Sequence, residues 1–228
     1  MSTPLPPDAA AHLADSYPHN HNYRIRSGKL KPSWQLWTRS RRIRKHYTPG
    51  GTSLLDLSSC KGFFLFDAIL RIGMQRVRGI DVHGPDVDAS RAAMEHLGVA
   101  DKVRIDQLHL HQVAAEVQAG ITAPFDTALL INTYHYLFFG SRREEHHYES
   151  HAEIFECLAA LTSKGGRLIF SNRVEVALCP KHIQERAKEM GRASRYDEVQ
   201  IRSAIDPFFQ IEPRGKLGKI PLWILHRR

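Results

Sequence analysis

Cysteine is scarce in this 228-residue sequence: Cys60, Cys157 and Cys179 are the three present, with no CxxC spacing and no even framework. That argues against a disulfide scaffold and a thiolate zinc site, and it leads us to expect a reducing, cytoplasmic compartment. Apolar runs of membrane-spanning length are missing, as is a signal-type apolar stretch near Met1, so no membrane partner is expected. Three glycine-based signatures are absent: G-x-G-x-x-G of dinucleotide enzymes, G-x-x-x-x-G-K-[ST] of phosphate-binding loops, and G-x-S-x-G of acyl-transfer enzymes. The most uneven shortage is of acid. No Asp or Glu stands between Asp15 and Asp56, an interval that holds Arg24, Arg26, Lys29, Lys31, Arg39, Arg41, Arg42, Arg44 and Lys45. The net charge is +8, so the whole positive excess lies in this one segment. Such a block suits a polyanion or an anionic substrate.

What is present is a globular composition, 42% hydrophobic and 25% charged, in a length that suits one domain with extensions. Residues 1–22, rich in Pro, Ala, His and Asn, read as a flexible tail. Residues 23–48 read as a basic helical extension. Ser33 can cap a helix in which Leu36, Ser40, Ile43 and Tyr47 share one face, until Pro49-Gly50-Gly51 ends it. Residues 49–228 then alternate. Strands are expected near 53–57, 77–81, 102–106, 125–131 and 166–171, and helices near 63–73, 86–97, 108–118 and 149–162. Helices at 180–190 and 196–205 and two strands near 208–211 and 220–225 complete the chain. This alternation predicts an α/β fold, a mostly parallel sheet with helices on both faces. The nearly all-apolar stretch from Phe125 to Ile131 suits a central strand.

The most informative stretch runs from Ser53 to Asp81. An apolar strand ends in Asp56, a small polar loop with Ser58, Cys60 and Gly62 follows, then a helix, then Val77-Arg-Gly-Ile-Asp81. Asp56 and Asp81 are 25 positions apart. A strand–loop–helix–strand unit with an acid at each strand end is built for an adenosine-bearing ligand, the second acid gripping a ribose diol. The layout resembles class I S-adenosylmethionine-dependent methyltransferases over roughly residues 50 to 172, although Gly62 is the one glycine left in the loop.

That resemblance implies a Rossmann-like methyltransferase domain with S-adenosylmethionine as cofactor. It places Asp56, Ser58, Cys60 and Gly62 around the cofactor's amino-acid end. Asp81 would hold the ribose, Val82 the adenine face, Asp106 the adenine amino group, and Asn132 would lie near the methionine part. The run Asn132-Thr-Tyr-His-Tyr after the fourth strand falls where many such enzymes carry an aromatic or histidine pair. His135 is thus the candidate base or orienting group, with Tyr134 or Tyr136 lining the pocket. Trp34, Trp37, Gly79-Ile-Asp81 and Tyr134-His135 also occupy places similar to those in enzymes that alkylate a tRNA wobble uridine.

The expected activity is methyl transfer to an anionic acceptor, a small molecule or RNA, with Trp37, Arg41, Arg42 and Arg44 engaging it. The alternative is a non-catalytic RNA- or partner-binding protein that kept the fold. His147 and His151, four apart, could ligate a metal only with added carboxylates, and no metal is expected. Arg142-Arg-Glu-Glu-His-His reads as a solvated charge run, and Cys60 and Cys179 as structural residues.

Overall fold

The computed structural model describes residues 3–141 and 146–228; the charged run at 142–145 lies outside them. The chain divides into two compact units, residues 1–109 and 110–228.

The first unit opens with helix α1 (Pro7–Asp15), an antiparallel hairpin of β1 (Tyr23–Arg26) and β2 (Lys29–Pro32), and helix α2 (Trp34–Arg44). Then come β3 (Ser53–Asp56), α3 (Phe63–Asp67) running on as a π-helical turn to Ile72, β4 (Arg76–Asp81), α4 (Gly84–Leu97) and β5 (Val103–Gln107). Its strands lie parallel in the order β5-β4-β3. The second unit contains α5 (Leu110–Gln118), β6 (Phe125–Ile131), α6 (Tyr134–Phe139), α7 (His151–Leu161) and β7 (Thr162–Ser171). It ends with α8 (Lys181–Glu189), α9 (Glu198–Ile205), β8 (Phe209–Leu217) and β9 (Ile220–Arg227). Its strand order is β6-β7-β9-β8, with β6 and β7 parallel and β9 antiparallel to both its neighbours. The fold class is α/β, with a mostly parallel sheet.

Burial explains the strand positions. Every residue of β3 is buried, and so are the last five of β6, as expected of strands covered on both faces. In β9, Trp223 stacks on Phe170 of β7 at 5.4 Å between ring centroids. The α2 helix has the predicted face: Leu36, Ser40, Ile43 and Tyr47 are all buried. Ser33 Oγ accepts from the Leu36 amide at 3.3 Å, as a helix cap should.

The N-terminal segment differs from expectation. Residues 7–15 form α1, with Pro7 in the first turn and Ala9 and Leu13 buried. His12 Nε2 lies 2.7 Å from Asp86 Oδ1 on α4. Composition suggested a flexible tail because the partners of this helix lie some seventy positions away. The basic extension likewise starts with a hairpin, anchored where the Tyr23 hydroxyl donates to the Lys61 carbonyl at 2.7 Å.

Gly79 in β4 lies directly under the loop after β3. A Cβ there would meet Leu65 Cδ1 at 2.4 Å and Ser59 Cβ at 2.8 Å. Both neighbours are buried, so neither can move cheaply. Gly79→Ala is expected to destabilise the fold by about 1–3 kcal/mol through overpacking. A lower urea midpoint would record this, and an unchanged midpoint would mean the loop yields freely.

Candidate functional site

In the first unit the site is built at the carboxyl ends of β3, β4 and β5. Asp56 ends β3 at 2% exposure. Its Oδ1 accepts weakly from the Ser58 amide at 3.4 Å, while Oδ2 has no hydrogen-bond partner among the described residues. Burial pushes this carboxyl up to about 7, against the opposing pull of the Ser58 amide. The loop then turns through Cys60 at φ 48° and Gly62 at φ 73°. A non-glycine residue in the left-handed region needs an anchor. Here the Cys60 amide donates to Asp81 Oδ2 at 2.8 Å.

This changes the reading of the loop. The Ser58 amide reaches Asp56, Ser59 reaches the Ile80 carbonyl, Cys60 reaches Asp81, and Gly62 reaches the Ser59 carbonyl. These four backbone donors are therefore satisfied internally, not aimed at a ligand. Recognition is left to side chains. Asp81 also accepts from the His83 amide at 3.0 Å through Oδ1, so each oxygen keeps one lone-pair direction for a ligand hydroxyl. Val82, 36% exposed, offers an apolar surface beside it.

Asp106 does not serve as predicted. Arg78 Nη2 lies 2.7 Å from its Oδ2, and Arg104 Nε lies 3.0 Å from its Oδ1. The reason is strand alternation. Register pairs Asp106 with Ile80 and Gln107 with Asp81, so Gln107 shares the face of Asp81 and Asp106 the opposite one. Gln107 Nε2 donates to the Val82 carbonyl at 3.1 Å. Sequence reading gave the adenine to its neighbour Asp106, and the signal that separates the two is the period of two.

The α2 candidates also separate. Trp37 makes a tilted ring contact with the exposed Trp34 at 5.0 Å, and Arg41 lies over the Trp37 ring at 4.7 Å. Arg41 and Arg42 are exposed. Arg44 instead faces the fully buried Asp67 at 3.8 Å, where Ser40 also donates, so its part is structural.

In the second unit, β6 is followed by Asn132, which adopts φ 58° with its amide on the Ser171 carbonyl and its side-chain oxygen receiving Arg173. Asn172 Oδ1 accepts from the Thr133 and Tyr134 amides at 2.8 and 2.9 Å and so holds the start of α6. His135 is fully buried, and neither ring nitrogen has a partner among the described residues. Burial first, then the charges of Arg173 and His182, lowers its pKa to about 3. Tyr136 lies against His135 in a tilted contact at 4.1 Å and stacks on His182 at 6.2 Å. Tyr134 is not a pocket residue. Its hydroxyl lies 2.6 Å from His151 Nδ1, and His151 Nε2 lies 2.8 Å from the Arg195 carbonyl. A carbonyl can only accept, so Nε2 carries the proton and Tyr134 donates to Nδ1. His151 is thereby engaged in the core.

No protein-family model matches the sequence, and no curated protein matches it. Solved structures do match. An O-methyltransferase family protein from Burkholderia thailandensis superimposes with a TM-score of 0.59 at 16% identity, over 85% of this chain and 56% of that one. The chain thus spans little more than half that protein's length. The N-methyltransferase NodS from Bradyrhizobium japonicum gives 0.57 at 13% identity, covering 85% of this chain and 91% of NodS. An O-methyltransferase from Bacillus cereus gives 0.55 at 13%, covering 97% and 87%. The fold is that of class I methyltransferases.

On a class I methyltransferase fold the predicted residues fall into two groups. Asp56, Ser58, Cys60, Gly62, Asp81 and Val82 gather at one strand-end site in the first unit, together with Gln107. Asn132, His135 and Tyr136 gather in the second unit around Arg173 and Asn172, neither of which sequence reasoning had singled out. An adenosine cofactor fits the first group on one observation, the buried Asp56 oxygen that has no partner among the described residues. No helix among the described residues is long and apolar enough to cross a membrane.

Proposed function

We propose that this protein is an S-adenosylmethionine-dependent methyltransferase whose acceptor is an anion, either a small molecule or RNA. The observation that carries the reading is Asp56, which keeps a buried carboxylate oxygen without a partner at the first strand end of a class I methyltransferase fold. NodS and the Bacillus cereus enzyme were solved with S-adenosylhomocysteine, and a geranyl diphosphate methyltransferase with S-adenosylmethionine. The cofactor supplies a methyl group activated on a sulfonium. The chain's own residues bind and orient. Asp56 accepts from the ammonium of the amino-acid end, Asp81 accepts from the ribose hydroxyls, and Val82 covers an adenine face. His135, neutral and too weak a base to take a proton readily, positions the acceptor through its ring nitrogens, with Tyr136 beside it. Arg41 and Arg42 draw the acceptor electrostatically, and Trp37 offers a ring for stacking.

Calorimetry with S-adenosylmethionine and S-adenosylhomocysteine tests the cofactor. Transfer of labelled methyl groups into the RNA and small-molecule fractions of a cell extract tests the activity. No binding of either cofactor at millimolar concentration would end the proposal. The self-satisfied loop amides favour a second reading, a non-catalytic RNA- or partner-binding protein. RNA binding without cofactor affinity or turnover would establish that one.

The raised Asp56 pKa gives a pH signature. Below about 7 the carboxyl is protonated, and a cofactor ammonium selects the ionised form. Binding therefore releases a proton, and affinity rises by up to about tenfold per pH unit until about 7, then levels. Asp56→Asn should flatten this profile. Calorimetry in two buffers of different ionisation enthalpy counts the proton, and a flat wild-type profile from pH 5.5 to 7.5 would refute the assignment.

Acceptor class is read from salt. Arg41→Glu with Arg42→Glu is expected to weaken acceptor binding at least about tenfold while cofactor affinity stays within about twofold, because exposed charges act on the incoming anion. Arg44 is left intact because Asp67 depends on it. Affinity for RNA would fall steeply with salt, in proportion to the phosphates contacted, whereas a small acid would show shallow screening. Normal methylation by the double variant would make this face of α2 a solvated surface only.

A further inference from the structure

Arg39 differs from the other arginines of α2. Arg41 and Arg42 are exposed and Arg44 faces Asp67, whereas Arg39 lies half-buried with its guanidinium 5.4 Å from the centroid of the Phe64 ring. Its Nη1 is 3.0 Å from His21 Nε2. Among the described residues no carboxylate pairs with it at ion-pair distance. A guanidinium has only donors, so His21 must accept through Nε2 and hold its proton on Nδ1. That requires a neutral ring, and burial, followed by the charges of Arg39 and Lys61, lowers the His21 pKa to about 3. Arg39 thus has one neutral partner for its several N–H groups and no adjacent counter-charge. A cation withdrawn from water in this way is costly unless an anion completes the site.

The position of the guanidinium identifies the anion. Phe64 directly follows the loop. Arg39 is lowered in pKa by burial, and Asp56 and Cys60 act on it in the opposite sense, so its charge is felt at the start and in the middle of that loop. An acid with an unpartnered oxygen and a guanidinium with unused donors flank one loop. Opposite charges so placed match the two charged ends of an α-amino acid. We propose that Arg39, held in place by His21, binds the α-carboxylate of the cofactor's amino-acid end while Asp56 takes its ammonium. The planar fork of Arg matches a carboxylate with two parallel hydrogen bonds. His21 is a positioning residue that fixes the orientation of that fork. This inference rests on the cofactor reading above.

The test uses two ligands that differ only at that end. S-Adenosylhomocysteine carries the amino acid; 5′-methylthioadenosine shares the adenosine and the thioether and lacks it. Arg39→Leu is expected to weaken S-adenosylhomocysteine by about 10- to 100-fold, the worth of a charge-assisted pair, and to leave methylthioadenosine within about twofold. Arg39→Gln, which keeps much of the stem, should give the same split if the Leu variant folds poorly. His21→Ala should weaken S-adenosylhomocysteine several-fold and spare methylthioadenosine, and His21→Gln, whose amide oxygen can accept from Arg39, should restore most of the loss. Equal weakening of both ligands would show that Arg39 only supports the loop, and unchanged S-adenosylhomocysteine affinity would show that the carboxylate is held elsewhere. Either result overturns the proposal and leaves the cofactor reading standing. A wild-type chain that binds neither ligand at millimolar concentration removes both.

Discussion

Asp81→Ala is expected to reduce S-adenosylhomocysteine affinity by at least about 100-fold. Two charge-assisted hydrogen bonds to the ribose hydroxyls contribute about 1.5–3 kcal/mol each. A second loss comes on top. Asp81 receives the Cys60 amide at 2.8 Å and the His83 amide at 3.0 Å, and the first of these holds a non-glycine residue in the left-handed region. Without the carboxylate, the Cys60 turn loses its amide anchor and keeps only the Ser90 hydroxyl on its carbonyl, so the loop is less preorganised. The two contributions can be separated. Amide hydrogen exchange at Cys60 reports the loop, and calorimetry reports the ribose. Faster exchange together with the affinity loss is the expected pair of results. Affinity within about threefold of the wild type would mean that the ribose is bound by other groups.

The sheet was legible because its signals are local. Apolar runs that end in acids mark β3 and β4, and Phe125 to Ile131 marks β6 by its lack of polar interruption. The placement of candidate residues was legible to the same degree where it follows from a strand or helix end. Asp56 and Asp81 end their strands as expected, and Ser33 starts α2. Asp106 failed because an acid at a strand end has two faces to choose from, and the choice is set by register with β4, which no local pattern encodes. Gln107 would have followed had the period of two been counted back from Asp81 through the pairing. Tyr134 failed for a related reason. Its hydroxyl is taken up by His151, seventeen positions on, a contact that no local pattern encodes.

Longer-range contacts were hidden altogether. Helix α1 is stabilised by Asp86 and the body of α4, so its sequence looks like a tail when read alone. Arg39 was one arginine among several in a basic run. Its difference lies in what it lacks, a carboxylate partner, and that is a property of the folded chain. Incomplete pairing of a buried or half-buried polar group is the feature shared by Arg39, Asp56 and His135, and it is the ground for the proposals made for each of them.

His135 is the sharpest instance, and its replacement should move stability and activity in opposite directions. The ring is fully buried with both nitrogens unpartnered, which costs the ligand-free fold about 1–3 kcal/mol for desolvated polar atoms. Leucine is close in volume and has no polar atoms to desolvate. His135→Leu is therefore expected to raise the denaturation midpoint of the ligand-free protein, corresponding to a gain of about 1 kcal/mol. The same change removes the group proposed to orient the acceptor, and loss of alignment costs about 100-fold in turnover. Cofactor affinity should stay within about twofold, since that site lies among other residues. A pH profile distinguishes orientation from proton abstraction. With its pKa held at about 3 by burial, Arg173 and His182, the ring stays neutral across the neutral range, so wild-type turnover should show no inflection from His135 there. His135→Asn, which keeps a donor and an acceptor on a shorter stem, should recover part of the lost turnover. A less stable His135→Leu with normal methyl transfer would make the histidine a packing residue, and the acceptor would then have to be oriented by other side chains.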